Sequence, residues 1–204
     1  MALPIDSRLT DLIARRPELA PCTDSIRSAF DALVTCFTSG HRLYLCGNGG
    51  SASDAEHIAG ELLKGFDRRR KIEVPSNADL LLQKLQGGLP AIPLTGFTAL
   101  RTAVANDMAG ELEFAQLVNA LGQPGDILLG MTCSGNSRNV GLALETARSK
   151  NMTTIVLTGS AGGKSVALAD HCVRVPAEEI YLIQELQLPV YHTLCLALED
   201  HFFG

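Results

Sequence analysis

The segment RLYLCGNGGSASDAEHIA, residues 42–59, passes from a short apolar run through a glycine-rich turn into a stretch with helical spacing. A second segment, DILLGMTCSGNSRNVGLALETA at residues 126–147, has the same order of apolar run, small polar loop and helical stretch. Strands that alternate with helices at this spacing are typical of βαβ units. The two segments therefore predict a parallel sheet covered by helices on both faces.

The same alternation extends over most of the chain. Buried strands are predicted at 42–46, 91–95, 126–131 and 153–159, with a weaker fifth at 171–176. Helices are predicted at 51–66, 97–105, 111–121 and 137–150, with flanking helices at about 24–38 and 178–202. We therefore expect residues 1–204 to form a single three-layer α/β domain.

One connection, residues 67–90, does not follow this alternation. Pro75, followed by a serine and an asparagine, resembles a helix start, and Gly87 with Gly88 resembles a helix end. These signals predict a short extra helix on the surface, inserted between the first helix of the sheet and the second strand.

Composition excludes several classes of protein. The net charge of −5 and the pI near 5.5 argue against broad nucleic-acid binding. The longest apolar runs are far too short to cross a bilayer, and the first residues mix charged with apolar side chains, unlike a signal peptide. The six cysteines are dispersed without a C-x-x-C pair. We expect a cytoplasmic protein with reduced thiols and no membrane or nucleic-acid partner.

Both strand–loop–helix segments place small and hydroxyl-bearing residues at a helix start. The loops are Gly47–Ser51 and Thr132–Ser137. The first N–H groups of a helix have no intrahelical acceptor and bind anions readily. Two such loops at successive strand ends indicate a phosphorylated ligand of modest size.

A dinucleotide is the competing ligand. Gly47, Gly49 and Ala52 satisfy the permissive G-x-G-x-x-A fingerprint. That fingerprint also needs an acidic residue at a strand end some ~20 residues later. Asp67, in GFDRRRK, is not at a strand end, and neither loop has the G-K-[ST] of a nucleotide-binding P-loop. NAD and ATP are therefore the weaker hypotheses.

A group of polar residues accompanies the first loop. His57 and Glu61 are four residues apart and share a helix face, while Gln184 and His192 share a face of the last helix, with Pro189 between them. A carboxylate and an imidazole suit proton abstraction next to a carbonyl. Two histidines, a glutamate and an amide oxygen equally suit a divalent metal. Either chemistry fits a sugar-like carbonyl compound held by its phosphate.

Five motifs carry a resemblance to a known family: CGNGGSASDAEHIAGEL (46–62), AVANDM (103–108), GQPGDILLGMTCSGNSRNV (122–140), LTGSAGGK (157–164) and IQELQLPVYH (183–192). From about residue 24 onward the chain resembles the sugar isomerase (SIS) domain, in its phosphoheptose isomerase branch. That branch converts sedoheptulose 7-phosphate to D-glycero-D-manno-heptose 7-phosphate. The resemblance implies a flavodoxin-like fold and a homotetramer with sites between subunits.

The resemblance also implies roles for individual residues. Glu61 corresponds to the catalytic base and His192 to its acid partner. The quartet that holds zinc in some members, one Zn²⁺ per subunit, corresponds to His57, Glu61, Gln184 and His192. The substrate site corresponds to Asn48, Gly49, Gly50, Ser51, Asp107, Thr132, Ser134, Ser137 and Gln184, in which Thr132, Ser134 and Ser137 form the phosphate loop.

Three positions depart from the family pattern. Tyr181 replaces a usual aspartate, Gln187 a usual histidine and Pro189 a usual lysine, and the 67–90 connection is longer than typical. The resulting expectation is an aldose–ketose isomerase that works through a cis-enediol. Two alternatives stay open: an isomerase of another phosphosugar in a secondary pathway, and a non-catalytic SIS-domain regulator that binds a replication initiator. Relatives of the second kind lack the paired Glu and His that this chain keeps as Glu61 and His192.

Overall fold

The computed structural model describes residues 4–204 and contains one five-stranded parallel sheet, with strand order β2-β1-β3-β4-β5. This is the flavodoxin-like order that the family resemblance implies. The strands are β1 (Leu43–Cys46), β2 (Ala91–Pro93), β3 (Ile127–Met131), β4 (Thr153–Thr158) and β5 (His171–Arg174). The five predicted strands are thus confirmed, each slightly shorter than expected.

Seven α-helices accompany the sheet in the described part of the chain. They are α1 (Pro4–Arg15), α2 (Thr23–Thr38), α3 (Gly50–Leu63), α4 (Thr98–Val104), α5 (Glu113–Leu121), α6 (Arg138–Ser149) and α7 (Ile180–Phe203). The prediction missed α1, which packs on α7 through buried Ile5, Leu9 and Leu12. None of the helices in residues 4–204 combines the length and apolar character that a membrane crossing needs.

The side chains of the strands alternate between two cores, as the period of a β-strand requires. Leu43 and Leu45 of β1 join the core formed with α1, α2, α3 and α7. Tyr44 and Cys46 join the core on the other face, formed with α5 and α6. Both faces of the sheet are therefore buried, and the predicted three-layer architecture is confirmed.

The prediction of an extra helix within residues 67–90 is wrong. This segment forms one short 3₁₀ turn, Leu82–Lys84, and an antiparallel bridge between Lys71 and Gln86. Leu80 and Leu81 are 76% and 70% exposed. A short helix in water gains its stability from packing an apolar face, and these leucines have no such surface within the single chain.

A buried ion pair fastens this connection to the last helix. Arg70 Nε lies 2.8 Å from Glu199 Oε1, and both side chains are fully buried. Glu199 also accepts hydrogen bonds from the backbone N–H groups of Phe66 (2.8 Å) and Asp67 (2.9 Å). The aromatic ring of Phe203 covers the guanidinium at 4.8 Å. The buried charge of Glu199 is thus compensated by the Arg70 guanidinium and by backbone N–H donors.

The other nitrogens of Arg70 bind the end of α3. Nη1 donates to the carbonyl of Leu62 at 2.6 Å, and Nη2 donates to the carbonyl of Glu61 at 2.8 Å. The last carbonyls of a helix have no intrahelical donor and need partners of this kind. Arg70 therefore caps α3 and joins it to α7 through Glu199.

We expect Glu199→Leu to lower the free energy of unfolding by about 3–5 kcal/mol, because it leaves a buried guanidinium and backbone N–H groups without an acceptor. Urea unfolding followed by circular dichroism measures the loss. Glu56→Leu, on the exposed face of α3, is the matched control and should change stability by no more than about 0.5 kcal/mol.

The pH dependence gives a second readout of the same pair. Burial alone would raise the pKa of Glu199, but the hydrogen bonds from Phe66, Asp67 and Arg70 hold it below the ordinary value of 4.5. The stabilisation is therefore complete above pH 4.5 and is lost as the pH falls through the lower pKa of the folded state. Equal acid sensitivity of the wild type and Glu199→Leu would contradict this account.

Candidate active site

The site lies at the carboxyl edge of the sheet, where β1 and β3 are neighbours. Their parallel register pairs Cys46 with Gly130, so the loops that follow the two strands meet. Asn48 and Asn139 join these loops through reciprocal amide hydrogen bonds of 2.9 and 2.8 Å. In open parallel sheets, ligands bind in the crevice at this reversal of strand order.

The first loop depends on its glycines. Gly49 has a φ of +56°, which L side chains rarely adopt. A Cβ on Gly47 would lie 2.7 Å from the carbonyl oxygen of Ser51, so no larger residue fits there. Helix α3 begins at Gly50, and its first N–H groups face the crevice end of the sheet.

The second loop carries the predicted phosphate-binding hydroxyls. Thr132 Oγ1 lies 2.9 Å from Ser137 Oγ, and the Ser134 hydroxyl accepts a hydrogen bond from the N–H of Asn136 at 3.2 Å. Helix α6 begins directly after Ser137. The loop therefore presents hydroxyls and a helix N-terminus together, a combination suited to an anion.

Two histidines and a glutamate form a cluster between α3 and α7. His57 Nε2 lies 3.1 Å from Glu61 Oε1, and His192 Nε2 lies 3.4 Å from His57 Nε2. The structure thus brings together three residues that were predicted from two distant parts of the sequence. Burial, with the neighbouring His57, lowers the pKa of His192 and favours its neutral imidazole.

Two predicted residues stand apart from this cluster. Gln184 packs over the first loop, since a Cβ on Gly50 would lie 2.5 Å from its Nε2. Its side chain makes no hydrogen bond within residues 4–204. Asp107 lies on the exposed π-helical segment Ala105–Ala109 and accepts a hydrogen bond from Asn106 at 2.8 Å. Within residues 4–204, Asp107 forms no hydrogen bond or ion pair with the other predicted site residues.

Three residues of the site were missed by the sequence analysis. The buried Tyr191 hydroxyl lies 3.1 Å from Asp54 Oδ1 and 3.1 Å from His57 Nδ1. Asn139 joins the two loops, as described above. The signal for Asp54 and Tyr191 was their spacing: Asp54 is one helical turn before His57, and Tyr191 is two turns after Gln184.

The donor set fits a divalent metal such as zinc. Bonds of 2.0–2.1 Å around a tetrahedral zinc ion place neighbouring ligand atoms about 3.3–3.4 Å apart. The His57–Glu61 and His57–His192 separations of 3.1 and 3.4 Å are close to this distance. Nevertheless, no three His, Cys, Asp or Glu side chains in residues 4–204 are already arranged to hold an ion. The potential ligand atoms are therefore close together, but they do not have the arrangement of a complete metal site.

The strand order, the two loops and the cluster define an α/β domain whose crevice is suited to a small phosphorylated ligand. The family model for the SIS domain matches residues 18–159. The phosphoheptose isomerase of Alteromonas mediterranea is 42% identical over 183 residues, covering 88% of this chain and 84% of the relative. That of Roseiflexus sp. is 37% identical over 199 residues, covering 98% and 93%.

Solved structures agree with these sequence relatives. The phosphoheptose isomerase from Francisella tularensis superposes with a TM-score of 0.79 at 34% identity, covering 96% of both chains. That from Neisseria gonorrhoeae gives 0.74 at 31% identity, covering 94% of this chain and 95% of the other. The chain belongs to the SIS domain family, in its phosphoheptose isomerase branch.

The conformation of the second loop can be tested at a single glycine. Gly135 has a φ of +67°, and a Cβ there would lie 1.9 Å from the carbonyl oxygen of Gly162. We expect Gly135→Ala to cost more than the ~1–2 kcal/mol of a left-handed alanine, because the backbone of residue 162 must also move. Chemical denaturation measures this loss.

Gly141→Ala in α6 is the matched control. Nothing lies within 4 Å of a Cβ at this position, so the alanine should stabilise the helix by about 0.5–1 kcal/mol. Equal effects of the two substitutions would show that Gly135 does not hold the loop in this conformation.

Proposed function

We propose that this protein is a phosphoheptose isomerase that interconverts sedoheptulose 7-phosphate and D-glycero-D-manno-heptose 7-phosphate. The observation that carries the proposal is the convergence of Glu61 and His192 beside two anion-type loops, in a chain that matches named phosphoheptose isomerases along most of its length. We place the activity in the cytoplasm, where a chain with six free cysteines remains reduced.

The loops would hold the substrate. Thr132, Ser134 and Ser137, with the N-terminus of α6, offer hydroxyl and N–H donors to the phosphate. The first loop, with Asn48, Gly49, Gly50 and Ser51, lines the other side of the crevice, where a sugar chain would extend towards α3. Holding the phosphate at a fixed distance from Glu61 would supply much of the rate enhancement through orientation.

The cluster would move protons. The Glu61 carboxylate removes a proton from the carbon next to the carbonyl, which gives a cis-enediol, and the proton is returned to the neighbouring carbon. His192 transfers protons between the two oxygens. A neutral imidazole is suited to this exchange because it can both donate and accept a proton near neutral pH.

We also propose that His57, Glu61, Gln184 and His192 hold one zinc ion per subunit. The ion would polarise the carbonyl oxygen of the sugar. The nature of the donors and the short separations in the cluster support this assignment. Gln184 supplies an amide oxygen from α7 with no hydrogen-bond partner among the described residues.

Self-association is a further part of the proposal: we infer a homotetramer with its sites between subunits. Asp107 is exposed and forms no hydrogen bond or ion pair with the other site residues in the described part of the chain, which is what a site completed by a second chain would show. The exposed leucines of residues 80–85 offer an apolar surface to such a chain. Light scattering in solution would show a mass of four chains.

We expect Glu61→Gln to lower turnover of sedoheptulose 7-phosphate by about 10²–10⁴-fold, because the amide keeps the shape of the side chain but cannot accept the proton. A coupled assay measures turnover, and calorimetry with the substrate checks that the phosphate is still bound. Glu56→Gln, on the exposed face of α3, should leave turnover unchanged. Full activity in Glu61→Gln would refute the assignment of the base.

Metal removal tests the zinc site. Protein stripped with a chelator should lose turnover and regain it with Zn²⁺, because the ion would polarise the carbonyl oxygen. Unfolding curves of the stripped protein control for a structural effect. Undiminished turnover in the stripped protein would leave the proton-transfer assignment intact and remove zinc from it.

A further inference from the structure

We propose that Asp54 and Tyr191 form a positioning pair that holds His57 with its ring hydrogen on Nδ1, so that the Nε2 lone pair faces Glu61 and His192. The prediction about metal affinity given below rests on the proposed zinc site, whereas the prediction about the hydrogen position does not.

The geometry places one hydroxyl between a carboxylate and an imidazole nitrogen. Tyr191 is 1% exposed, and its hydroxyl lies 3.1 Å from both Asp54 Oδ1 and His57 Nδ1. The rings of Tyr191 and His57 meet edge to face, with centroids 5.5 Å apart. A phenol has a single hydrogen to donate, so one of these two contacts must run in the opposite direction.

The direction follows from the chemistry of the carboxylate. An ionised carboxylate accepts hydrogen bonds and cannot donate them, so the Tyr191 hydrogen points to Asp54. A phenol keeps its hydrogen at neutral pH. The Tyr191 oxygen is then free to accept, and among residues 4–204 its other polar contact is with His57 Nδ1, which must carry the hydrogen.

The consequence appears at the opposite nitrogen of the ring. With the hydrogen on Nδ1, neutral His57 presents a bare lone pair at Nε2, 3.1 Å from Glu61 Oε1 and 3.4 Å from His192 Nε2. A lone pair facing a carboxylate is stabilised by a cation placed between them. The alternative form, with the hydrogen on Nε2, would donate to Glu61, occupy the proposed base and close the cluster to a metal.

The pair competes with Glu61 for the position of the hydrogen on the His57 ring. Outer partners of this kind set the tautomer of metal-binding histidines and commonly change metal affinity by about 10–100-fold when removed. Packing alone does not explain the hydroxyl of Tyr191, because a phenylalanine would fill the same volume. Its polar contacts are with Asp54 and His57.

The first experiment compares Tyr191→Phe with Tyr44→Phe. Tyr44 is also a buried tyrosine, but its hydroxyl donates to the carbonyl of Leu121 on the other face of the sheet. Nitrogen-15 NMR of histidine-labelled, metal-free protein reports which ring nitrogen carries the hydrogen. We expect Nδ1–H on His57 in the wild type and in Tyr44→Phe, and a shift to Nε2–H in Tyr191→Phe.

Zinc affinity provides the second readout, by competition with a chelating dye. We expect a loss of about 10–100-fold in Tyr191→Phe and no change in Tyr44→Phe. Asp54→Ala is an independent variant that keeps the hydroxyl but removes its acceptor. The Tyr191 hydrogen should then turn to His57 Nδ1 and again produce Nε2–H.

The outcomes separate this proposal from the proposed function. Nε2–H in the wild type, or Nδ1–H retained in both Tyr191→Phe and Asp54→Ala, would overturn it. If the wild type binds no zinc, the proposed zinc site is refuted. The position of the His57 hydrogen then tests the role of Asp54 and Tyr191 by itself. Loss of turnover in Tyr191→Phe, with the His57 hydrogen still on Nδ1, would mean that Tyr191 has only a structural role. That result would also overturn the proposal.

Discussion

The contact between α3 and α7 is the constraint on which the rest of the site depends. These helices are distant in sequence, and each carries part of the reactive cluster. At one end Arg70 binds the last carbonyls of α3 and the carboxylate of Glu199. Further along, Tyr191 joins α7 to Asp54 and His57. Glu61 lies between these two attachments, so its position is set from both sides.

The sheet supplies the second element of the site. Because β1 and β3 are adjacent and parallel, both loops and both helix N-termini open at the same edge. Asn48 and Asn139 hold the two loops together through their own side chains. Donors that are already in place need little rearrangement when an anion binds, which favours both affinity and orientation.

The sequence predicted those features that depend on local pattern. The strands, the two loops and the helix faces of His57 and Glu61 follow from apolar periodicity and turn residues, and the motifs identified the family. The helix expected in residues 67–90 does not form, because its leucines need an apolar surface to pack against and the single chain does not provide one. Asp54 and Tyr191 were missed because their roles depend on how α7 packs against α3. Helical spacing gives the face of each helix but not the partner that it meets.

The most direct test of this account is to follow the fate of the transferred hydrogen. Sedoheptulose 7-phosphate is converted in D₂O, and the heptose product is examined for deuterium by NMR and mass spectrometry. A cis-enediol formed by Glu61 predicts solvent deuterium at C-2 of the product, because the proton on the carboxylate exchanges with water. Product without deuterium, even after repeated turnover to equilibrium, would show that hydrogen passes directly between the carbons, and would contradict the role of Glu61 as a base.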